Sequence, residues 1–315
     1  MELEHIGRIG VLMGGPSSER EISLKSGKAV YESLKGSGLD VVGIDIKTDG
    51  LKENIRLIKS RKINCAFLAL HGYFGEDGQI QGILDILNIP YTGSRMQASR
   101  LAMDKASSRH IFEVYNLNVP RYKIIDRLSY HRNALFLRYL NLPLVIKPAT
   151  NGSSIGLSII DDRRDLEEAI GLAFTFDEKV IIEEYIQGRE VTVGILGNQA
   201  LPLIEVIPKK RFFDYEAKYQ PGMTEYVVPA KLEERIAKRI QDTALLAHKL
   251  LGCFACSRVD MILSTDNLPF ILEVNTIPGF TKTSLLPKAA KTIGIDFSRL
   301  CLKLIQLAYE KATAD

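Results

Sequence analysis

Four polar residues in the last third of the chain have types and spacing that suit phosphate chemistry. Arg258 and Asp260 stand two apart in 258–263, which reads as a strand, and Glu273 and Asn275 stand two apart in 269–275, which reads as the next. Side chains two apart on a strand share a face. On this alternation Phe270, Leu272 and Val274 take the other face of the second strand. Turn residues at 264–267 predict a hairpin. If its register aligns the four, a guanidinium, two carboxylates and an amide meet on one surface. An all-oxygen ligand set without His or Cys favours a hard ion such as Mg²⁺, completed by water and phosphate oxygens. The plainer alternative is a solvated sheet face with ordinary ion pairs. The run 275–279 ends in Pro278-Gly279. The Gly279 N–H, with the Arg258 charge, could stabilise a developing oxyanion; the alternative is a plain turn.

Other candidates stand at predicted strand ends. Lys147 ends a strand and precedes a Gly/Ser loop through Gly156, whose backbone N–H groups could cradle phosphates. That loop lacks the spacing of a Walker A motif, and a β-hairpin turn is its ordinary reading. Glu183-Glu184-Tyr185-Ile186 ends a strand where two domains meet, a setting that suits adenine, and Glu190 beyond it suits a ribose or a strand cap. His71 opens a loop with three glycines in 71–78, and Glu19, after Gly14-Gly15, suits a small cationic group. The segment 208–228 is rich in Lys, Tyr and Phe and reads as a lid that excludes water, with Lys218 and Tyr219 as its contacts. Its ordinary reading is a surface loop, against which four aromatics in 212–219 argue.

The elements that must position these residues fall into three units. Residues 8–13, 40–46 and 63–70 predict strands, the last apolar nearly throughout, as burial on both faces requires. N-cap candidates at 17–21 open a helix to about residue 35, and helical patterns follow near 51–60 and 78–88. This is a parallel, doubly wound α/β unit over 1–100, whose ligands sit beyond the C-terminal strand ends. A second, α+β unit over 101–187 opens with one helix through Tyr115. Strands follow near 122–125, 144–147, 157–160 and 180–184, with a helix near 164–174. A third over 188–315 begins with strands at 191–196 and 201–207 around a Gly197-Asn198 turn. A helix from Pro229 in its first turn to a Gly252 cap comes next, then the hairpin and a C-terminal helix.

Composition narrows the function classes. A hydrophobic share of 46% with 25% charged residues is that of a soluble globular protein. A net charge of +3 without a block of like charges gives no footprint for nucleic acid or a membrane surface. No secretory signal opens the sequence, and no apolar run approaches ~20 residues, so the expectation is cytoplasmic. Cys253 and Cys256 form a lone C-x-x-C without a second pair for zinc, and read as buried thiols.

Taken in order, these segments resemble the D-alanine–D-alanine ligases of the ATP-grasp superfamily over essentially the whole chain. The resemblance rests on 14–23, 71–78, Met103-Asp104-Lys105, 147–156, 214–219, Arg258-Val259-Asp260 and 273–279. It implies an ATP-grasp fold preceded by a parallel α/β domain, with ATP as co-substrate. It implies that Lys105, Lys147 and Lys218 bind ATP phosphates, Glu183, Glu184 and Ile186 the adenine, and Glu190 the ribose. Asp260, Glu273 and Asn275 would hold two Mg²⁺ ions, with Mn²⁺ able to substitute. Glu19 would bind the amino group of the first D-alanine, with His71 near its carboxyl end. Arg258 and Gly279 would stabilise the tetrahedral intermediate, and Ser284 and Leu285 would receive the second carboxylate. Glu19, Ser153 and Tyr219 would form a hydrogen-bonded group closing the site. A homodimer and peptidoglycan precursor synthesis are likewise implied. Phe213 stands where many members carry Tyr, which removes a lid hydroxyl.

Three competing readings have discriminators. Ligases using D-lactate or D-serine as second substrate share most of these residues, and Tyr219 favours the dipeptide enzyme. A nucleotide-dependent dehydrogenase would need G-x-G-x-x-G, where 14–18 reads Gly-Gly-Pro-Ser-Ser. A catalytically dead nucleotide binder would not need the full set Arg258, Asp260, Glu273, Asn275 and Gly279.

Overall fold

The chain builds three sheets in succession, and each presents a strand end or a face to the cleft. In this computed structural model residues 6–128, 130, 140–152, 154–209 and 222–312 are described. Ser153, Lys218, Tyr219 and Phe213 lie outside the described residues.

The first sheet has the order β2(Val41–Ile46)-β1(Ile9–Gly14)-β3(Cys65–Leu68), all parallel. Its strands alternate between two cores. Ile9, Val11, Cys65 and Phe67 pack with α1(Arg20–Gly36), while Leu12, Ala66 and Leu68 pack with α2(Leu51–Ser60) and α3(Gln79–Ile86). Burial on both faces explains the continuous apolar run of β3, which is shorter than the expected 63–70 because only four residues pair in the ladder.

The expected single helix through Tyr115 is two, α4(Met96–Met103) and α5(Lys105–Val114). Asp104 breaks it. Its backbone is extended, and its side chain accepts from the N–H groups of Ala106 and Ser107 at 2.9 and 3.1 Å, so it caps the second helix. Lys105 thereby starts α5 and faces the cleft. The second sheet has the antiparallel order β4(Tyr122–Asp126)-β7(Lys179–Glu184)-β5(Leu144–Pro148)-β6(Ser158–Ile160), and α6(Leu166–Phe174) covers one face.

The third sheet is antiparallel, in the order β11(Thr224–Val227)-β10(Ile204–Pro208)-β8(Gly188–Leu196)-β12(Cys256–Ser264)-β13(Pro269–Asn275), with β9(Gln199–Ala200) also on β8. The strand expected over 201–207 begins only at Ile204, because residues 201–203 fall where the register against β8 shifts between β9 and β10. The long helix α7(Glu234–Leu250) begins five residues after Pro229, which follows a cis peptide bond and lies outside its first turn. Its end is as expected. Gly252 has φ +67°, and Cys253 N–H donates to His248 C=O at 3.0 Å, closing a Schellman cap. After α8(Leu285–Thr292), the last helix α9(Phe297–Ala312) returns to the first sheet. Leu300, Leu304 and Ile305 bury against Ile9, Val11 and Phe67, which ties the chain end to its beginning.

Candidate active site

The hairpin register brings the four polar residues together. Arg258 lies opposite Asn275, and Asp260 lies opposite Glu273. A β-bulge follows Asp260, so that Met261 pairs with Ile271. This bulge corrects the simple alternation. Ile271 and Val274 enter the core, while Leu272 joins Glu273 on the cleft wall beside Ile262. An extra residue on one strand reverses the facing of everything beyond it. Leu272 and Ile262 therefore give the cleft an apolar floor next to its carboxylates.

Like charges opposite each other in a sheet repel, and here cations separate them. Arg258 grips Asp260 in two parallel bonds of 2.8 and 2.7 Å, and Thr192 Oγ1 donates to the same carboxylate at 2.6 Å. Lys105 Nζ lies 3.2 Å from Glu273 Oε2 and donates to Asn151 C=O at 2.8 Å. The donor set fits a hard cation. Two carboxylates face each other across the ladder, and the Asn275 oxygen accepts one bond, from Ile277 N–H at 2.9 Å, leaving a second lone pair. No group of three or more His, Cys, Asp or Glu placed to hold a metal ion by themselves occurs among the described residues. The set is therefore too small for an all-protein cage and matches an ion completed by phosphate and water.

A cavity of about 400 Å³ opens between the second and third sheets. Lys105, Lys147, Glu183, Glu184, Ile186, Glu190, Asp260 and Glu273 line it, which gathers most of the expected nucleotide residues. Lys147 Nζ donates to Glu183 Oε1 at 2.8 Å, and the other Glu183 oxygen pairs with Arg109 of α5. Arg109 is 1% exposed, and among the described residues its guanidinium has no hydrogen-bond partner beyond that ion pair, though it stacks 5.1 Å from the Tyr122 ring centre. Burial pushes the Lys147 ammonium down to about 8, with Glu183 opposing the fall. Burial alone would raise the Glu183 carboxyl, but Arg109 and Lys147 together hold it below the usual carboxylate range. The Glu184 carboxylate accepts from Asn141 N–H at 2.9 Å and faces Arg121, so it is already engaged.

A second cavity of about 340 Å³ lies on the other side of Glu273. Glu19, His71, Arg258, Asn275, Gly279, Ser284 and Leu285 all line it. Glu19 occupies the N-cap position of α1 without bonding the helix through its side chain. A Cβ on Gly72, whose φ is +68°, would stand 2.4 Å from Glu19 Oε2, and one on Gly152 3.4 Å from it. The carboxylate is thus roofed by two glycines from two different loops. His71 is fully occupied. Its Nδ1 lies 3.1 Å from Ile277 C=O, which can only accept, so Nδ1 carries the proton. Nε2 then accepts from Ser26 Oγ at 3.0 Å, and burial lowers the imidazole below its usual range, so the ring is neutral. Ser284 caps the α8 end of the cavity, where Thr281 N–H donates to its Oγ at 3.0 Å.

Sequence reasoning passed over Glu76, Arg109 and Tyr226. Glu76 is buried in the second cavity, accepts from Gly72 N–H at 2.6 Å, and burial, then the neighbouring Glu19, push its carboxyl up to about 8. Its signal was its place among the glycines of 71–78. Tyr226 stands in the aromatic segment 208–228 without a mark of its own, and Arg109 carries no local signal, because only tertiary packing sets it against Glu183.

Residues 8–60 and 51–94 match the D-ala D-ala ligase N-terminus family, and residues 111–306 match the D-ala D-ala ligase C-terminus family. A D-alanine–D-alanine ligase of Pelotomaculum thermopropionicum is 45% identical over 312 residues, covering 96% of this chain and 97% of the relative. The crystal structure of the Bacillus anthracis D-alanine–D-alanine ligase complexed with ATP superposes with a TM-score of 0.87 at 34% identity, over 98% of this chain and 99% of that one. The VanG D-Ala:D-Ser ligase of Enterococcus faecalis gives 0.84 at 33% identity, over 96% and 99%. With relatives this similar along nearly their full length, and an ATP-grasp architecture shared with them, the chain belongs to the D-alanine–D-alanine ligase family.

Proposed function

We propose that the chain joins two D-alanine molecules into D-alanyl-D-alanine, with ATP converted to ADP and phosphate. The observation that carries this reading is a shared wall. Glu273 borders both the nucleotide cavity and the amino-acid cavity, with Asp260 and Arg258 opposite on the neighbouring strand. A phosphoryl group held there lies between a nucleotide and a small zwitterion.

A carboxylate is a poor acyl donor, so it is first activated. A carboxylate oxygen of the first D-alanine attacks the γ-phosphorus, ADP leaves, and an acyl phosphate forms. The amine of the second D-alanine, having lost its ammonium proton, then attacks the acyl carbon. The tetrahedral intermediate collapses with loss of phosphate. Lys105 and Lys147 neutralise the phosphates, and Lys218 joins them. Glu183 anchors Lys147 at the adenine end, Glu184 and Ile186 frame the base, and Glu190 takes the ribose. Asp260, Glu273 and Asn275 would hold two Mg²⁺ ions, or Mn²⁺ in their place. When bound, those ions neutralise charge during phosphoryl transfer.

Glu19 holds the first ammonium and closes the site with Ser153 and Tyr219. His71, both nitrogens held by protein, forms a rigid neutral wall at the first substrate's carboxyl end. Arg258 and the Gly279 N–H meet the oxyanion, and Ser284 and Leu285 receive the second carboxylate. The units 1–100, 101–187 and 188–315 would supply amino-acid, nucleotide and metal-acceptor functions respectively. A cytoplasmic homodimer feeding peptidoglycan synthesis fits this reaction, and no helix among the described residues is long and apolar enough to cross a membrane.

The test is product analysis with Mg²⁺-ATP and D-alanine, against L-alanine, D-serine or D-lactate as partners. The expected product is D-alanyl-D-alanine with stoichiometric ADP. Preferential mixed product with D-serine or D-lactate would move the substrate assignment, and ATP turnover indifferent to amino acid would refute ligation.

A further inference from the structure

Lys288 is a cation in the wrong place for folding. It sits in the first turn of α8, where its N–H donates to Ser284 C=O at 3.0 Å. A positive charge there opposes the helix dipole. The side chain is half-buried, and burial lowers its ammonium from the ordinary lysine value. Buried charges are normally paired, yet among the described residues no carboxylate forms an ion pair with it. Its Nζ lies instead over the face of Tyr226, 4.1 Å from the ring centre.

The position of that ring gives the charge a use. Tyr226 lines the amino-acid cavity together with Ser284 and Leu285, at the acceptor end. The same cavity presents three carboxylates, Glu19, Glu76 and Glu273, against two cations, the half-buried Arg258, which Asp260 holds, and the exposed Lys25 of α1. A second substrate entering with its own carboxylate therefore meets more carboxylates than cations in this lining. We propose that Lys288, mounted on Tyr226, selects acceptors that carry a carboxylate. This rests on the ligase reading above and adds a specificity residue to it. The hydroxyl and amides at Ser284–Leu285 can bond a carboxylate or a neutral amide alike, whereas a cation discriminates between them.

D-Alaninamide isolates this effect, because it has no free carboxylate to be phosphorylated and can act only as acceptor. D-Alanine and D-alaninamide at equal concentration compete, and the ratio of dipeptide to dipeptide amide is read by mass. That ratio does not depend on the fraction of enzyme folded. Wild type should favour the dipeptide strongly. Lys288→Met should shift the ratio toward the amide by about tenfold or more, with KM for ATP within about twofold. Lys288→Arg should restore the wild-type preference, and Tyr226→Leu should shift it in the same direction as Lys288→Met. An unmoved ratio in Lys288→Met, from enzyme whose wild type makes dipeptide, would overturn the proposal alone. Absence of dipeptide from wild type would overturn the ligase reading and this proposal with it.

Discussion

Glu183→Gln tests the electrostatics at the back of the nucleotide cavity. Glu183, Arg109 and Lys147 are 2, 1 and 8% exposed, and one carboxylate serves two cations. The amide keeps the shape and an acceptor for Lys147 but removes the negative charge that both cations share. Arg109 cannot deprotonate and has no other partner among the described residues, so its charge stands uncompensated. Breaking a buried pair in this way costs about 3–5 kcal/mol. Urea unfolding followed by circular dichroism measures it. The kinetic consequence has a fixed sign. Glu183 raises the Lys147 ammonium toward its value of about 8. Wild-type kcat/KM for ATP should therefore fall as pH rises through about 8, and in Glu183→Gln that fall should begin at lower pH. The double variant Arg109→Met/Glu183→Gln removes both buried charges, and should regain most of the stability while keeping the ATP defect. A Glu183→Gln protein within about 0.5 kcal/mol of wild type, with an unchanged pH profile, would refute the bridging role.

Three further outcomes follow from the geometry. Glu273→Gln should lower kcat with Mg²⁺-ATP by about tenfold or more, with unfolding unchanged, as Glu273 is partly exposed and faces the cleft; equal kinetics at saturating Mg²⁺ would contradict the metal assignment. Gly72→Ala puts a Cβ 2.4 Å from Glu19 Oε2 at a φ of +68°. It should cost about 1–2 kcal/mol and raise KM for D-alanine by about tenfold, since the flexible carboxylate yields before the backbone does; a change in stability with no change in KM would separate Glu19 from substrate binding. His248 is buried against Ser257 Oγ at 2.7 Å, and burial lowers its imidazole from 6.5 to about 4. The unfolded chain thus takes up this proton first, and stability should fall by up to about 3 kcal/mol as pH drops from 6.5 to 4. His248→Gln should flatten that part of the pH–stability curve, and an unchanged slope would show the acid sensitivity to lie elsewhere.

Local pattern carried much of the fold. Period-two alternation placed the hairpin, apolar continuity identified β3, and Gly252 marked the end of the long helix. What failed was local chemistry whose outcome depends on tertiary partners. Asp104 splits a helix because its carboxylate captures two amides, and that break is what aims Lys105 at Glu273. The bulge after Asp260 cannot be read from alternation, because Ile271 and Leu272 are equally apolar and only the fit to β12 decides which is buried. At the site, residue type and spacing singled out Asp260, Glu273, Asn275 and Lys147, and the resemblance added Lys105; the structure gathers all five about the two cavities. Type and spacing could not show that Arg109, on a helix, meets Glu183, on a strand, nor that Lys288 and Tyr226 meet beside the acceptor end. They also left His71 open as a substrate contact, whereas Ser26 and Ile277 hold both ring nitrogens.

The most direct test of the shared wall at Glu273 is the fate of oxygen. D-Alanine labelled with ¹⁸O in its carboxylate is turned over with unlabelled ATP and water, and the released phosphate is read by mass. Activation through an acyl phosphate predicts that each phosphate carries away a carboxylate oxygen, one for each peptide bond formed. Unlabelled phosphate accompanying dipeptide would contradict transfer to the carboxylate, and with it the arrangement of the two cavities about one reacting phosphoryl group.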